Sequence, residues 1–383
     1  MSLNLDRLKR ITSSGNYIAE VDGLRFIAIA SVVLMHLHTH FYRENAVGAD
    51  LVSQSFFDLL LKNGQNGVFV FFAISGFILG LPFVKQYQHG GRQVKLGAYF
   101  TRRLTRLEPP YIFFLTGFFV LLVIMGEHSI TDLFQRFLAG LTYTHYFVYN
   151  EWNPILPVSW SLETEVQFYI LAPVIAWLFK ISRPLLLYLV FLFLILADIY
   201  IGIHFKPTIR SLHLGQSLLY YGSFFLVGFI LADLYLRKPA FFSKRNFIWD
   251  LIFGAALLGI FIYSRELPFP RYFRTLLIIP LFIGAFKGPI SNWVMSRKIV
   301  AITGGMCYTM YLLHYPFIHL AIKPFSIYFG NYDLSLLIVI LILVPAIWIV
   351  TAFFFLLIEK PCMDKNWPNN LIAYLKKKFA NQS

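Results

Sequence analysis

Arg25 and His36 bracket ten uncharged residues, Phe26 to Met35, in the first long apolar stretch of the chain. Eleven positions advance a helix by roughly 16 Å and about 1100°, so the two side chains fall within about 20° of one face. A permanent cation and a base that titrates near neutrality then share one stripe at two depths of an apolar helix. Ionisable groups inside a membrane span are expensive and face a protein interior or a wet cavity, which makes the pair a candidate for chemistry. The bland alternative is an arginine that snorkels to the interface and a histidine that hydrogen-bonds between helices.

A second cluster sits in YFTRRLTRLEPPY, where Arg103 and Arg106 stand at i and i+3 on an expected short helix ahead of Pro109 and Pro110. Both guanidinium groups point the same way. Their planar forks match phosphate oxygens, so the pair is a candidate for holding a nucleotide diphosphate or 3′-phosphate; orientation charge at a membrane surface is the other explanation. A third cluster, LPVSWSLETEVQFY, runs from Leu156 to Tyr169. Glu163 and Glu165 differ by about 200° on a helix, so only one of them readily faces a bundle core. Ser161 and Glu165 share a face. A carboxylate here can orient an imidazole or accept hydrogen bonds from sugar hydroxyls, and Trp160 can stack on a sugar ring. Equally, an acidic residue complements a helix N-terminus and a tryptophan belongs to an interfacial belt.

His36 and His40 are i and i+4, but no carboxylate completes an HExxH pattern and no Cys lies near, so no metal site is expected. In GGMCYTMYLLHYPF, Tyr308, Tyr311 and His314 or Tyr315 make a polar stripe that fits either interhelical hydrogen bonding or substrate contact. Gly76 and Gly80 have small-xxx-small spacing, a signal for close helix packing.

The elements that must carry these residues are membrane helices. The 383 residues are 58% hydrophobic, 18% aromatic and 14% charged, with a mean hydropathy of +0.64, which excludes an ordinary soluble domain. Ten apolar stretches of about spanning length are expected at about 24–42, 66–84, 109–126, 157–179, 184–203, 214–236, 246–263, 272–288, 302–322 and 333–358. With both termini placed in the cytoplasm, 24 of the 33 Lys and Arg fall on the inner side. That bias, with anionic lipid, accounts for most of the +14 formal charge without nucleic acid. Residues 131–149 carry Asp132, Arg136 and His145 and read as an interfacial or re-entrant segment. No cleavable signal is expected at the N-terminus, and Cys307 and Cys362 offer no disulfide framework. The expected architecture is therefore an all-α polytopic membrane protein, one domain over 1–383 with a short basic cytoplasmic tail at 362–383.

Taken in order, VDGLRFIAIASVVLMH, FFAISGFIL, RRLTR followed by Pro, SWSLETEVQFY, YTMYLLHYP and EKP resemble the acyltransferase-3 family of bacterial membrane acyltransferases, from about residue 18 to 361. The resemblance implies ten core helices and transfer of acetyl or another short acyl group from cytosolic acyl-CoA to a hydroxyl of an extracytoplasmic glycan, lipid-linked sugar or related small molecule. It makes Arg25 and His36 the R-x10-H pair, with His36 the catalytic base, and Arg103 and Arg106 the RxxR motif at the acyl-CoA site. Glu165, rather than Glu163, takes the motif's acidic position and is assigned to catalysis. Arg25 joins Arg103 and Arg106 in holding the donor, while Trp160, Ser161, Tyr311 and His314 are assigned to substrate. No tightly bound cofactor is implied, acetyl-CoA being a donor substrate; the location implied is the bacterial inner membrane. Two departures stand out: Cys307-Tyr308-Thr309 replaces the usual Ser-Tyr-Ser, and no C-terminal SGNH hydrolase-like domain is expected. A transporter of a glycan precursor or acylated metabolite is the alternative from another class; the inverted halves with broken helices that would favour it are not visible in the sequence.

Overall fold

The computed structural model describes residues 5–11, 17–44, 60–126, 129–182, 184–200, 213, 215–262, 271–325, 332–364 and 366–370, and every regular element among them is helical. The basic tail expected at 362–383 lies outside the described residues beyond 370. In order come α1 (Ala19–Glu44), α2 (Gly67–Gln88), α3 (Leu96–Met125), α4 (Ile130–Leu141), α5 (His145–Tyr149) and α6 (Trp160–Ile181). Then follow α7 (Pro184–Tyr200), α8 (Leu218–Arg237), α9 (Pro239–Ser243), α10 (Ile248–Ile262), α11 (Arg271–Lys287) and α12 (Pro289–Met295). The last are α13 (Lys298–Gly305), α14 (Cys307–Phe325), α15 (Tyr332–Phe354), a π-helical turn at Phe355–Glu359, and α16 (Lys360–Cys362).

Each of the ten expected stretches holds a helix, yet among the described residues only six helices are long and apolar enough to cross a bilayer, or seven with α11 and α12 counted as one span bent by 87°. Two other apolar helices, Pro184–Leu196 and Ile248–Ile262, are shorter. The chain is an all-α membrane protein. The 131–149 segment forms α4 and α5, too short to span; α4 packs on α3, and α5 lies between α4 and α6.

α1 occupies the middle of the bundle, in contact with α2, α13 and α14, and its acidic first turn (Glu20, Asp22) and basic last turn (Arg43) suit the helix dipole. The most extensive helix pair is α2 with α8, and glycine permits it. A Cβ on Gly76 would lie 2.0 Å from the Phe225 carbonyl oxygen, and one on Gly228 2.1 Å from that of Ala73, so the two backbones touch. Gly80 continues the seam against Ala232 and Phe229.

Two expected boundaries moved. The short helix before Pro109 and the span after it are one 30-residue helix, α3, with Pro109 and Pro110 inside it. Pro109 has no N–H for the Thr105 carbonyl one turn back, and the Trp367 indole N–H supplies that bond instead at 2.9 Å. The stretch at 302–322 is broken at Met306 into α13 and α14. Such a break leaves the first N–H groups of α14 without helical partners. Glu359, at the end of the π-helical turn, takes one of them: its Oε2 accepts the Thr309 N–H at 3.0 Å and the Thr309 hydroxyl at 2.6 Å.

Candidate active site

Between α1, α2, α3, α6 and α14 lies a cavity of about 1330 Å³. Along α2 its wall runs from Val68 to Lys85, about 25 Å of helix, most of the thickness of a bilayer's apolar core. Eight Lys and Arg side chains line it against two carboxylates, Glu165 and Glu359. Lys85, Arg92, Lys95 and Arg102 mark its basic end, while Val68, Phe71, Ser161 and Tyr311 wall the opposite end.

Arg25 lines this cavity from α1, its guanidinium Nη1 2.7 Å from Asp22 Oδ1 one turn earlier. The other oxygen of Asp22, a fully buried residue, receives Arg10 Nε at 2.7 Å. Burial, aided by the neighbouring Arg25 charge, lowers the Arg10 pKa, and burial pushes the Tyr17 phenol beside it up to about 12. Arg103 and Arg106 both line the cavity from α3, one turn apart. The Arg103 guanidinium lies 3.9 Å from the centroid of the Tyr99 ring and 5.6 Å from that of Tyr169, and it donates to the Tyr99 carbonyl at 3.1 Å. Arg106 Nε is buried without a hydrogen-bond partner, a donor available for a ligand.

Glu165 also faces the cavity, where the hydroxyls of Ser75 and Tyr169 donate to it and Arg25 and Arg103 supply positive charge. Of the two uses expected for it, orienting an imidazole or accepting from sugar hydroxyls, its contacts here are with the hydroxyls of Ser75 and Tyr169. Glu163, on the other side of α6, is 1% exposed and accepts the Tyr146 N–H at 3.0 Å, holding α5. The opposite faces expected for the two carboxylates thus have separate uses. Ser161 Oγ and the Tyr311 hydroxyl are 2.7 Å apart, and Tyr311 donates to the Val158 carbonyl at 3.0 Å. Trp160 does not line the cavity; it packs against Phe72 and Tyr221, with ring centroids 6.3 and 5.4 Å away.

His36, half-buried on α1, is not a wall of the cavity. Its Nδ1 lies 3.0 Å from Nε2 of His314 on α14, and the His314 Nδ1 is 3.0 Å from the Met310 carbonyl. His314, expected to contact substrate, is 0% exposed, and both its ring nitrogens are engaged within the protein. The Tyr311 ring, 5.7 Å from that of His314, separates the cavity from the histidine pair. Further out, Tyr315 makes edge contacts with His36 and His40, each at 5.0 Å. Among the described residues no three His, Cys, Asp or Glu side chains gather as a metal site would require.

Sequence reasoning missed Asp22, Ser75, Tyr169 and the Thr309–Glu359 pair. Each stands within a motif that carried the resemblance, Asp22 in VDGLRF, Ser75 in FFAISGFIL, Tyr169 in SWSLETEVQFY, Thr309 in YTMYLLHYP and Glu359 in EKP.

Membrane-spanning helices thus surround a deep basic cavity, and a histidine pair stands beside Tyr311 at its far end. The chain belongs to the acyltransferase-3 family: the family model, described as an acyltransferase domain, matches residues 18–358. It is similar to O-acetyltransferase OatA of Staphylococcus aureus (strain NCTC 8325 / PS 47), 26% identical over 347 residues that cover 82% of this chain and 52% of that protein. A Staphylococcus aureus (strain COL) protein provisionally named an O-acetyltransferase is 27% identical over 329 residues, covering 78% of this chain and 50% of its own length. The chain thus spans about half the length of these curated relatives. No solved structure matches it.

Proposed function

We propose that this protein moves a short acyl group, acetyl in the first instance, from cytosolic acyl-CoA to a hydroxyl of an extracytoplasmic glycan or lipid-linked sugar. The observation that carries the reading is the cavity, whose excess of cations suits a polyanionic donor and whose depth suits a long, narrow one. Its basic end then faces the cytoplasm of a bacterial inner membrane, in line with the excess of Lys and Arg on that side. The names of the relatives, O-acetyltransferases, favour acetyl.

In this reading Arg103 and Arg106 hold the phosphates of the donor, Arg103 flattened on Tyr99 so that its fork stays in register, while Arg25 and Glu165 border the pantetheine arm. The thioester is drawn to the far end, beneath Ser161 and Tyr311. Displacement of the Tyr311 ring joins this space to His36. A sugar hydroxyl is almost un-ionised at neutral pH, so His36 takes its proton as the oxygen attacks the thioester carbonyl. The new O–C bond forms, the C–S bond breaks, and the proton passes from the imidazolium to the departing thiolate, giving ester and free CoA thiol. Atoms and charge balance without a metal or redox partner.

The test is carried out on membrane vesicles that contain the protein, given labelled acetyl-CoA on the cytoplasmic side. Label should enter a base-labile ester on a surface or lipid-linked glycan, and His36→Ala, still inserted, should abolish it. Uptake of label without covalent incorporation would instead indicate transport, and undiminished incorporation with His36→Ala would remove the base from its role.

A further inference from the structure

We infer that His314 is a positioning residue for His36, fixing its tautomer so that Nε2 carries the lone pair that acts as base. The inference rests on the acyl-transfer reading and adds to it the device that prepares the imidazole.

The hydrogen-bond network assigns the tautomers in sequence. A backbone carbonyl only accepts, so the 3.0 Å contact with the Met310 oxygen requires His314 Nδ1 to bear its proton. A neutral imidazole has one N–H, which leaves His314 Nε2 as an acceptor. The 3.0 Å contact between that atom and His36 Nδ1 is then a hydrogen bond donated by His36. His36 then has its single proton on Nδ1 and its lone pair on Nε2, and the Val32 carbonyl one turn back on α1 is a second acceptor for that N–H. Had His36 adopted the other tautomer, two lone pairs would oppose each other at 3.0 Å in a buried site, an arrangement that costs the full desolvation penalty of both.

Location supports the same division of labour. His314 is fully buried, with both nitrogens in use, whereas His36 is half-buried. When His36 takes a proton on Nε2, its bond to His314 is unchanged, so the imidazolium forms without rearrangement. His314 therefore does for His36 what a carboxylate does for a hydrolase histidine, but as a neutral group, which suits a membrane interior where a buried charge is expensive.

The purified protein tests this with acetyl-CoA and a soluble glycan acceptor. Glutamine puts a carbonyl oxygen near the position of His314 Nε2, while leucine keeps bulk and removes the acceptor. His314→Leu should lower kcat by about a hundredfold or more with the KM for acetyl-CoA unchanged, and His314→Gln should recover kcat to within about tenfold of wild type. Equal losses in the two variants, or wild-type kcat in His314→Leu, would overturn the inference. As a measurement independent of variant folding, 15N spectra of histidine-labelled wild type, with the His36 signals identified by their loss in His36→Ala, should show protonated Nδ1 and bare Nε2 at neutral pH. A protonated Nε2 would also overturn it. If wild-type protein transfers no acyl group from acetyl-CoA, the functional reading fails, whereas the tautomer measurement still judges the His36–His314 pair.

Discussion

Arg103→Lys keeps the charge of the proposed donor site and removes its geometry. In the wild type the guanidinium plane lies 3.9 Å from the Tyr99 ring centroid and 5.6 Å from that of Tyr169, with one N–H bound to the Tyr99 carbonyl. An ammonium group keeps much of the cation–π attraction, which is present with and without donor and so does not enter the binding equilibrium. It also offers a phosphate a point charge in place of a two-pronged fork, a loss of one charge-assisted hydrogen bond worth about 1.5 kcal/mol. This loss corresponds to roughly tenfold in donor affinity. Equilibrium binding of labelled CoA to the detergent-solubilised protein reads this directly, and transfer rates at saturating acetyl-CoA should stay within about threefold of wild type, because the chemistry lies at the other end of the cavity. A variant that binds CoA as tightly as wild type, or one that loses kcat with binding intact, would refute the assignment of this arginine to phosphate.

Other perturbations probe the frame around the site. Thr309→Val removes the 2.6 Å hydroxyl bond to Glu359, itself 1% exposed, and should destabilise the protein by about 2 kcal/mol, seen as a lower melting temperature in detergent, whereas Thr309→Ser should restore it. Gly228→Val drives a side chain into the Ala73 carbonyl, so α2 and α8 must separate; thermal unfolding should move down sharply, and an unchanged transition would contradict the backbone contact. Trp367→Phe leaves the Thr105 carbonyl without its donor and should cost about 1 kcal/mol in the same assay. Burial lowers the His145 pKa from 6.5 to about 4, so the fold favours neutral imidazole. Its contribution to stability is complete above pH 6.5 and is lost as pH falls through about 4. His145→Gln should flatten the pH dependence of the melting temperature across that window.

What could be read from the sequence was local to one helix. Arg25 and His36, Arg103 and Arg106, and the opposed directions of Glu163 and Glu165 follow from helical rotation, and the structure places each pair on one helix as that rotation demands. The partners of these residues lie elsewhere in the chain. His36 meets His314 across 278 positions, Ser161 meets Tyr311 across 150, and Thr309 meets Glu359 across 50. No periodicity in a single sequence encodes such pairings. The Pro109–Pro110 step reads as a helix boundary for a sound reason, the missing N–H, and the compensating indole arrives from 262 positions away. Of the ten expected stretches, the one at 272–288 bends by 87° between α11 and α12, and α14 carries tyrosines and histidines that lower its hydropathy.

The wall formed by Ser161, Tyr311 and the Val158 carbonyl has a bioenergetic meaning as well as a chemical one. A basic, water-sized passage most of the way through a bilayer would, if it emerged on both sides, let anions run down the membrane potential. Here the far end is lined by groups hydrogen-bonded to one another, with a fully buried histidine next to Tyr311. An acyl group can be handed across such a partition while charge is held back. Under the proposed function, a cytosolic acyl group would reach an outer acceptor by this route without an open path for charge.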